Sequence, residues 1–199
     1  MPHAVSLRSV ARLPATIADR CRRFAGDEGG VSAVEFALLL PVMLTLYLGS
    51  VEVTSAVSID RKVTLVSRTV ADLVARTKTV TNSDLTDVLN ASKAVAAPYP
   101  TAPLKVRVSS VTIDTAKKAK VTWSSHLNWA ARAAGEDVTS QIPQALRDPC
   151  ATAPSPCTVV WGEASYTYTP MVGHVITGEL TLSDQIFMKP RLGNEVTKS

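Results

Sequence analysis

Residues 36–51, FALLLPVMLTLYLGSV, are sixteen consecutive positions without a formal charge. A helix needs about 20 predominantly apolar residues to cross a bilayer, so the run falls short by itself. Extension back through Val31, Ser32, Ala33 and Val34 reaches 21 positions and takes Glu35 into the span. Glu52 follows the run, at the outer edge where a carboxylate reaches water, and Tyr47 fits the same interfacial setting. The expected organisation is a basic leader over 1–30, a transmembrane helix over 31–53 and a folded domain over 54–199.

Charge placement orients the helix. The leader carries Arg8, Arg12, Arg20, Arg22 and Arg23, against Arg61, Lys62 and Arg68 just beyond the span. Positive flanks stay in the cytoplasm, which puts the N-terminus inside and the C-terminal domain outside. A cleaved secretory signal is the competing reading. It would need a long region ahead of the apolar run and a small-residue cut site after it, and Thr54-Ser55-Ala56 beside Glu52 fits poorly. The net charge of +4 comes from scattered residues with no basic stripe and no aromatic interleaving, so no nucleic-acid partner is expected.

Cys150 and Cys157 stand among Pro149, Pro154 and Pro156, far from Cys21 in the leader. The favoured reading is a disulfide closing a stiff loop, with about 2–3 kcal/mol from chain entropy. Two free thiols are the plain alternative. Zinc is weaker, because the spacing is not a knuckle and no histidine lies nearby. A disulfide would place this region in an oxidising compartment.

Beyond the membrane the helical pattern continues. Ile59, Val63, Val66, Val70 and Leu73 recur at steps of four, three, four and three, with charged residues on the other faces. No Gly or Pro interrupts residues 51–76, so one helix from about Val31 to Arg76 is expected, kinked at Pro41. Ser83 is the expected N-cap of a second helix bearing Leu85, Val88, Leu89, Ser92 and Val95, which ends at Pro98 and Pro100. The period then changes to two. Leu104, Val106 and Val108 mark one strand, and Val121, Trp123, Leu127 and Trp129 share a side of the next. Ala164, Tyr166 and Tyr168, then Leu180, Leu182 and Ile186, mark two more. The strand Trp and Tyr residues read as core and cross-strand pairs. Helix first, then a run of strands, argues an α+β fold with an antiparallel sheet of about four strands.

The most specific segment is Gly29-Gly30-Val31-Ser32-Ala33-Val34-Glu35-Phe36, directly ahead of the apolar run. It resembles the processing site of type IV pilin-like proteins, in which a membrane peptidase cuts after a glycine and a glutamate stands fifth in the mature chain. A cut between Gly30 and Val31 puts Glu35 fifth and Phe36 sixth. The Glu-Phe pair, AVEFALLLPVMLTLYLG and Pro41 look more narrowly like the TadE/TadG-type minor pseudopilins of the Tad (tight adherence) pilus. EASYTYTP, and Met188 ahead of Pro190-Arg191, are loosely similar to such proteins as well. The resemblance implies a pilin-like fold, a long helix packed on an antiparallel sheet. It implies a structural role in priming, capping or joining a pilus, with Glu35 and Phe36 acting in assembly and register. Its implied partners are other pilin and pseudopilin subunits, a prepilin peptidase, the inner-membrane assembly machinery and the lipid bilayer. The leader is long for a prepilin, and Asp27-Glu28-Gly29 replaces the basic residue often found before the cut. An uncleaved, membrane-anchored periplasmic binding, sensing or pilus assembly protein is therefore the alternative.

No enzyme motif is found and no cofactor or metal is expected. His3, His126 and His174 are isolated, and no nucleophile elbow or phosphate-cradling loop occurs. Asp114, Glu136, Asp137 and Asp184 read as turn and surface carboxylates. The topology is directly testable: a reporter active only in the periplasm should work when fused after Ser199, and a cytoplasmic reporter should work before Met1. The reverse pattern would remove the pilin-like reading, because the leader must face the peptidase.

Overall fold

A computed structural model describes residues 28–153, 157–170 and 178–199. Most of the leader, with Cys21 and His3, lies outside the described residues, as do Pro154, Pro156 and His174. The chain divides into two units, Met1–Tyr47 and Leu48–Ser199. The first helix, α1, is Glu28–Ala75 and contains Pro41. Proline has no N–H for the preceding turn, so one intrahelical bond is missing there. Thr45 Oγ1 donates to the Pro41 carbonyl (2.8 Å).

Within the first unit, the α1 side chains from Gly30 to Tyr47 are exposed, among them Val31, Phe36, Leu38, Met43 and Leu46. By length and composition this helix can cross a membrane. Glu52, already inside the second unit, is only 3% exposed rather than open to water at the edge of the apolar run. Burial of α1 therefore begins one turn earlier than charge placement suggested.

Along the rest of α1, Ala56, Ile59, Val63, Val66 and Val70 are buried. Leu73 is not; it is 38% exposed, and Ala71, Val74 and Ala75 are buried instead. The cause is geometric. A strict 4-3-4-3 spacing has period 3.5, so a straight helix drifts by about 20° per heptad. Two heptads after Ile59, the line has rotated off the sheet on the side of Leu73. Arg191 N–H donates to the Ala75 carbonyl at the C-terminal end of α1 (2.8 Å), and its guanidinium pairs with Asp72.

A short strand β1 (Thr79–Val80) leads into α2 (Asn82–Ala96). The N-cap is Thr81, not Ser83. Its hydroxyl accepts from Asp84 N–H (3.1 Å), and Asp84 accepts from Thr81 N–H (2.8 Å), a complete capping box. Those Thr81 bonds, backbone first, hold the Asp84 carboxyl below its ordinary range. The cap's contribution is thus present above the ordinary carboxylate range and fades as pH falls through the lowered value. Leu85, Leu89, Ser92 and Ala96 form the buried face. Lys62 Nζ donates to the Val95 carbonyl in the last turn (3.1 Å), tying α1 to α2.

Four strands follow, β2 (Leu104–Ile113), β3 (Ala119–Leu127), β4 (Cys157–Tyr168) and β5 (Leu180–Met188). They form an antiparallel sheet in the order β3-β2-β4-β5. A short helix α3 (Gln144–Arg147) and a 3₁₀ turn (Asp148–Ala151) precede β4. A last strand β6 (Thr197–Lys198) pairs in parallel with β1. The sheet has a core on each face. The inner core joins α1 and α2 to Val106, Val108, Trp123, Val160, Ala164 and Tyr166. The outer core joins Val111, Ile113, Val121 and Trp161 to Val138, Ile142 and Cys150. Val121 and Trp123, expected on one side, lie in different cores. The register steps from Ser110↔Trp123 to Val111↔Val121, leaving Thr122 as a bulge that turns the strand over. Trp129 falls beyond the end of β3.

Gly162 on β4 sets the height of α1 above the sheet. A Cβ there would stand 2.6 Å from the Ser67 carbonyl oxygen and 2.9 Å from Ala71 Cβ. Real side chains do not pack that close, so any larger residue must lift the helix. Gly162→Val should lower unfolding stability by about 3 kcal/mol or more in denaturant titration of the full chain in detergent. Arg68→Asp and Leu73→Asp, both on exposed α1 positions, should stay within about 1 kcal/mol. Equal losses from all three would mean that Gly162 is not the seat of the helix.

Candidate functional site

Gly30, Val31, Glu35 and Phe36 lie on α1 in the apolar unit, and all four are exposed. Val31 and Glu35 are four residues apart, so they share a face one turn, about 6 Å, from each other. Among the described residues no cation pairs with Glu35. A Cβ at Gly30 would meet nothing within 4 Å, so packing within the chain does not require glycine there. Glycine inside a helix costs about 1 kcal/mol relative to alanine, and Gly29 and Gly30 weaken the first turn of α1.

Cys150 and Cys157 are joined by a disulfide with Cα atoms 5.6 Å apart. The bond fixes the 3₁₀ turn to the first residue of β4, and Cys150 is buried in the outer core. Among the described residues no group of His, Cys, Asp and Glu could hold a metal ion. Asp114 Oδ1 accepts from Lys118 N–H, and Asp137 Oδ1 accepts from Thr139 N–H, as turn residues do. Asp184 differs from that expectation. It lies within β5 on the α1 side, accepting from Ser67 Oγ (3.2 Å).

A polar cluster on the outer face of the sheet is not signalled by any motif in the sequence. Arg107 grips Glu163 with two bonds of 2.7 Å, and Arg132 Nη2 reaches the same carboxylate at 3.0 Å. Arg107 stacks on Trp129 at 4.4 Å, and Arg132 on Trp161 at 4.0 Å. Phe187 packs against Trp161 with ring centroids 5.3 Å apart. Arg132 also donates to Glu136 and Gln141, which folds the segment after β3 back over the sheet. The one hint is Glu163, the single charge in the strand CTVVWGEASYTY; its partners depend on the register Arg107↔Glu163, which alternation alone does not supply.

This cluster is nearly closed to water, with the Arg107, Glu163 and Arg132 side chains 12%, 9% and 9% exposed. Removing the shared carboxylate would strand the buried Arg107 guanidinium and leave Arg132 with Glu136 as its remaining carboxylate. Glu163→Gln should therefore cost about 3–5 kcal/mol. Asp148→Asn, which breaks an exposed pair with Lys117, should leave stability unchanged. Paired denaturant titrations read the contrast; a neutral Glu163→Gln would mean the cluster is ornamental to the fold.

Comparison with known proteins bears on α1. The family described as TadE-like protein matches residues 30–72, from the exposed glycine to the helix turn that meets Arg191. The matched part stops short of α2 and the sheet. No curated protein and no solved structure matches the chain. Gly30, Glu35, the apolar run and the amphipathic turns all lie inside that match, so this segment of the chain is similar to the TadE-like family.

Proposed function

We propose that this chain is a minor pseudopilin that takes part in assembling a Tad-type pilus, a structural role rather than a catalytic one. It would be held in the bacterial inner membrane by one pass of α1, with residues 1–30 in the cytoplasm and residues 54–199 in the periplasm. The observation that carries this reading is a helix exposing apolar side chains on every side, with one carboxylate, Glu35, a turn after Val31. Such a carboxylate costs on the order of 2.5–3.5 kcal/mol in a bilayer unless it is partnered. A prepilin peptidase cutting between Gly30 and Val31 would create a new ammonium at Val31. On an adjacent subunit that ammonium would neutralise Glu35 and set the axial register, with Phe36 packing beside the pair. The weak first turn at Gly29-Gly30 would ease opening of the helix for the cut. The disulfide supports placement of the C-terminal unit in an oxidising compartment.

A second reading has its own observation. The first turn of α1 begins at Glu28, upstream of the scissile bond, and acidic residues precede it. That favours an uncleaved anchor carrying a periplasmic binding, sensing or assembly unit. Two variants separate the readings. Gly30→Leu should block the cut and leave a chain heavier by the leader. Glu35→Ala should insert, since it removes a charge from the span, yet fail to enter pili. If Glu35→Ala assembles as the parent does, the register role is wrong and the anchor reading replaces it.

A further inference from the structure

The two edges of the main sheet are built differently. At β3 the outward backbone is occupied: Val121 N–H donates to the Glu136 carbonyl (3.0 Å), Gly135 N–H to the Val121 carbonyl (2.7 Å) and Val138 N–H to the Ala119 carbonyl (2.9 Å). The bulge at Thr122 interrupts that edge further. Bulges and covering segments are how sheets stop unwanted strand addition. Among the described residues neither device is present at β5. It pairs with β4 without a register shift from Val160↔Met188 to Tyr168↔Leu180. Its sequence, LTLSDQIFM, has no proline and no lysine. Among the described residues, no backbone hydrogen bond reaches β5 from outside the sheet.

The side chains along this edge are specific. Leu182, Ile186 and Met188 lean on the inner core, while Thr181, Ser183 and Gln185 are exposed on the alternate positions. Asp184 is the one charge of the strand, has Ser67 as donor, and has no cation at ion-pair distance among the described residues. Beside the strand's midpoint a cavity of about 330 Å³ is lined by Trp129, Glu163, Ala164, Ser183, Asp184 and Gln185. An open edge with a side-chain cavity beside it is the arrangement that strand addition uses, backbone bonds giving affinity and the cavity giving selectivity.

We propose that the β5 edge receives an extended strand of a different polypeptide, carrying a basic side chain opposite Asp184. A second copy of this chain fits badly. Its β5, LTLSDQIFM, holds no basic residue, so a β5–β5 pair of either direction would give Asp184 no cation. Pairing of β5 with the β3 edge of another copy is closed by the residues already bonded there.

Photo-reactive residues placed at Ser183 and at Gln185 of the full chain in cells test this, with Lys120 on the guarded edge as control. Sequencing of the joined peptides should give one segment of a different polypeptide. Attachment points should lie two residues apart, with no adduct from Lys120. Asp184→Asn should lower the yield about threefold to fivefold, the worth of an opposite-charge cross-strand pair, with an unchanged melting temperature. Adducts with a second copy of this chain, with lipid alone, at scattered positions, or equally from Lys120, would overturn the proposal. So would the absence of adducts.

Discussion

The close approach of α1 to β4 is the contact on which the second unit depends. With hydrogen alone at Gly162, the helix backbone at Ser67 and the methyl of Ala71 come down onto the strand. That height brings Ser67 Oγ within reach of Asp184 and buries Val63, Val66, Val70 and Val74 against the sheet. It also sets where the helix ends. Arg191, just past β5, bonds the Ala75 carbonyl, and Trp123 Nε1 donates to the Val196 carbonyl (2.8 Å), so the C-terminal tail closes over the same core. A residue with a side chain at Gly162 would disturb each of these together, because all are referred to one helix position.

The same helix is built for two surroundings. Its first unit shows apolar side chains in every direction, which suits hydrocarbon and is unsuited to water. Its second unit has one buried arc and a charged remainder, which suits a sheet on one side and water on the other. Glu35 belongs to neither pattern. A lone carboxylate among exposed apolar residues is costly in a bilayer, and among the described residues no cation pairs with it. In the proposed function its partner is the amine that a cut before Val31 would release, one turn away along the helix.

Features expressed by neighbours along the chain are legible in the amino-acid sequence: the apolar run, the change from a 3.6-residue to a two-residue period, and the lone cysteine pair. Features that depend on partners distant in sequence are not. Leu73 fits the heptad spacing but not the drift of a straight helix across a sheet. Ser83 has the right chemistry for a cap, yet Thr81 has the carboxylate of Asp84 at the reciprocal position. Val121 and Trp123 alternate correctly until a bulge at Thr122 turns one of them over, and no residue type announces that bulge. The Arg107–Glu163–Arg132 cluster needs a strand register and a returning loop before its charges meet. In the candidate site the residues themselves are legible, because Gly30, Val31, Glu35 and Phe36 lie within seven positions and need only helical spacing to be placed.

The most direct measurement is the N-terminal sequence and intact mass of the native chain, recovered separately from inner membranes and from sheared pili. The account predicts that the pilus fraction begins at Val31, with the leader through Gly30 removed. A chain that begins at Met1, or at Pro2 after loss of the initiator, in both fractions would contradict it.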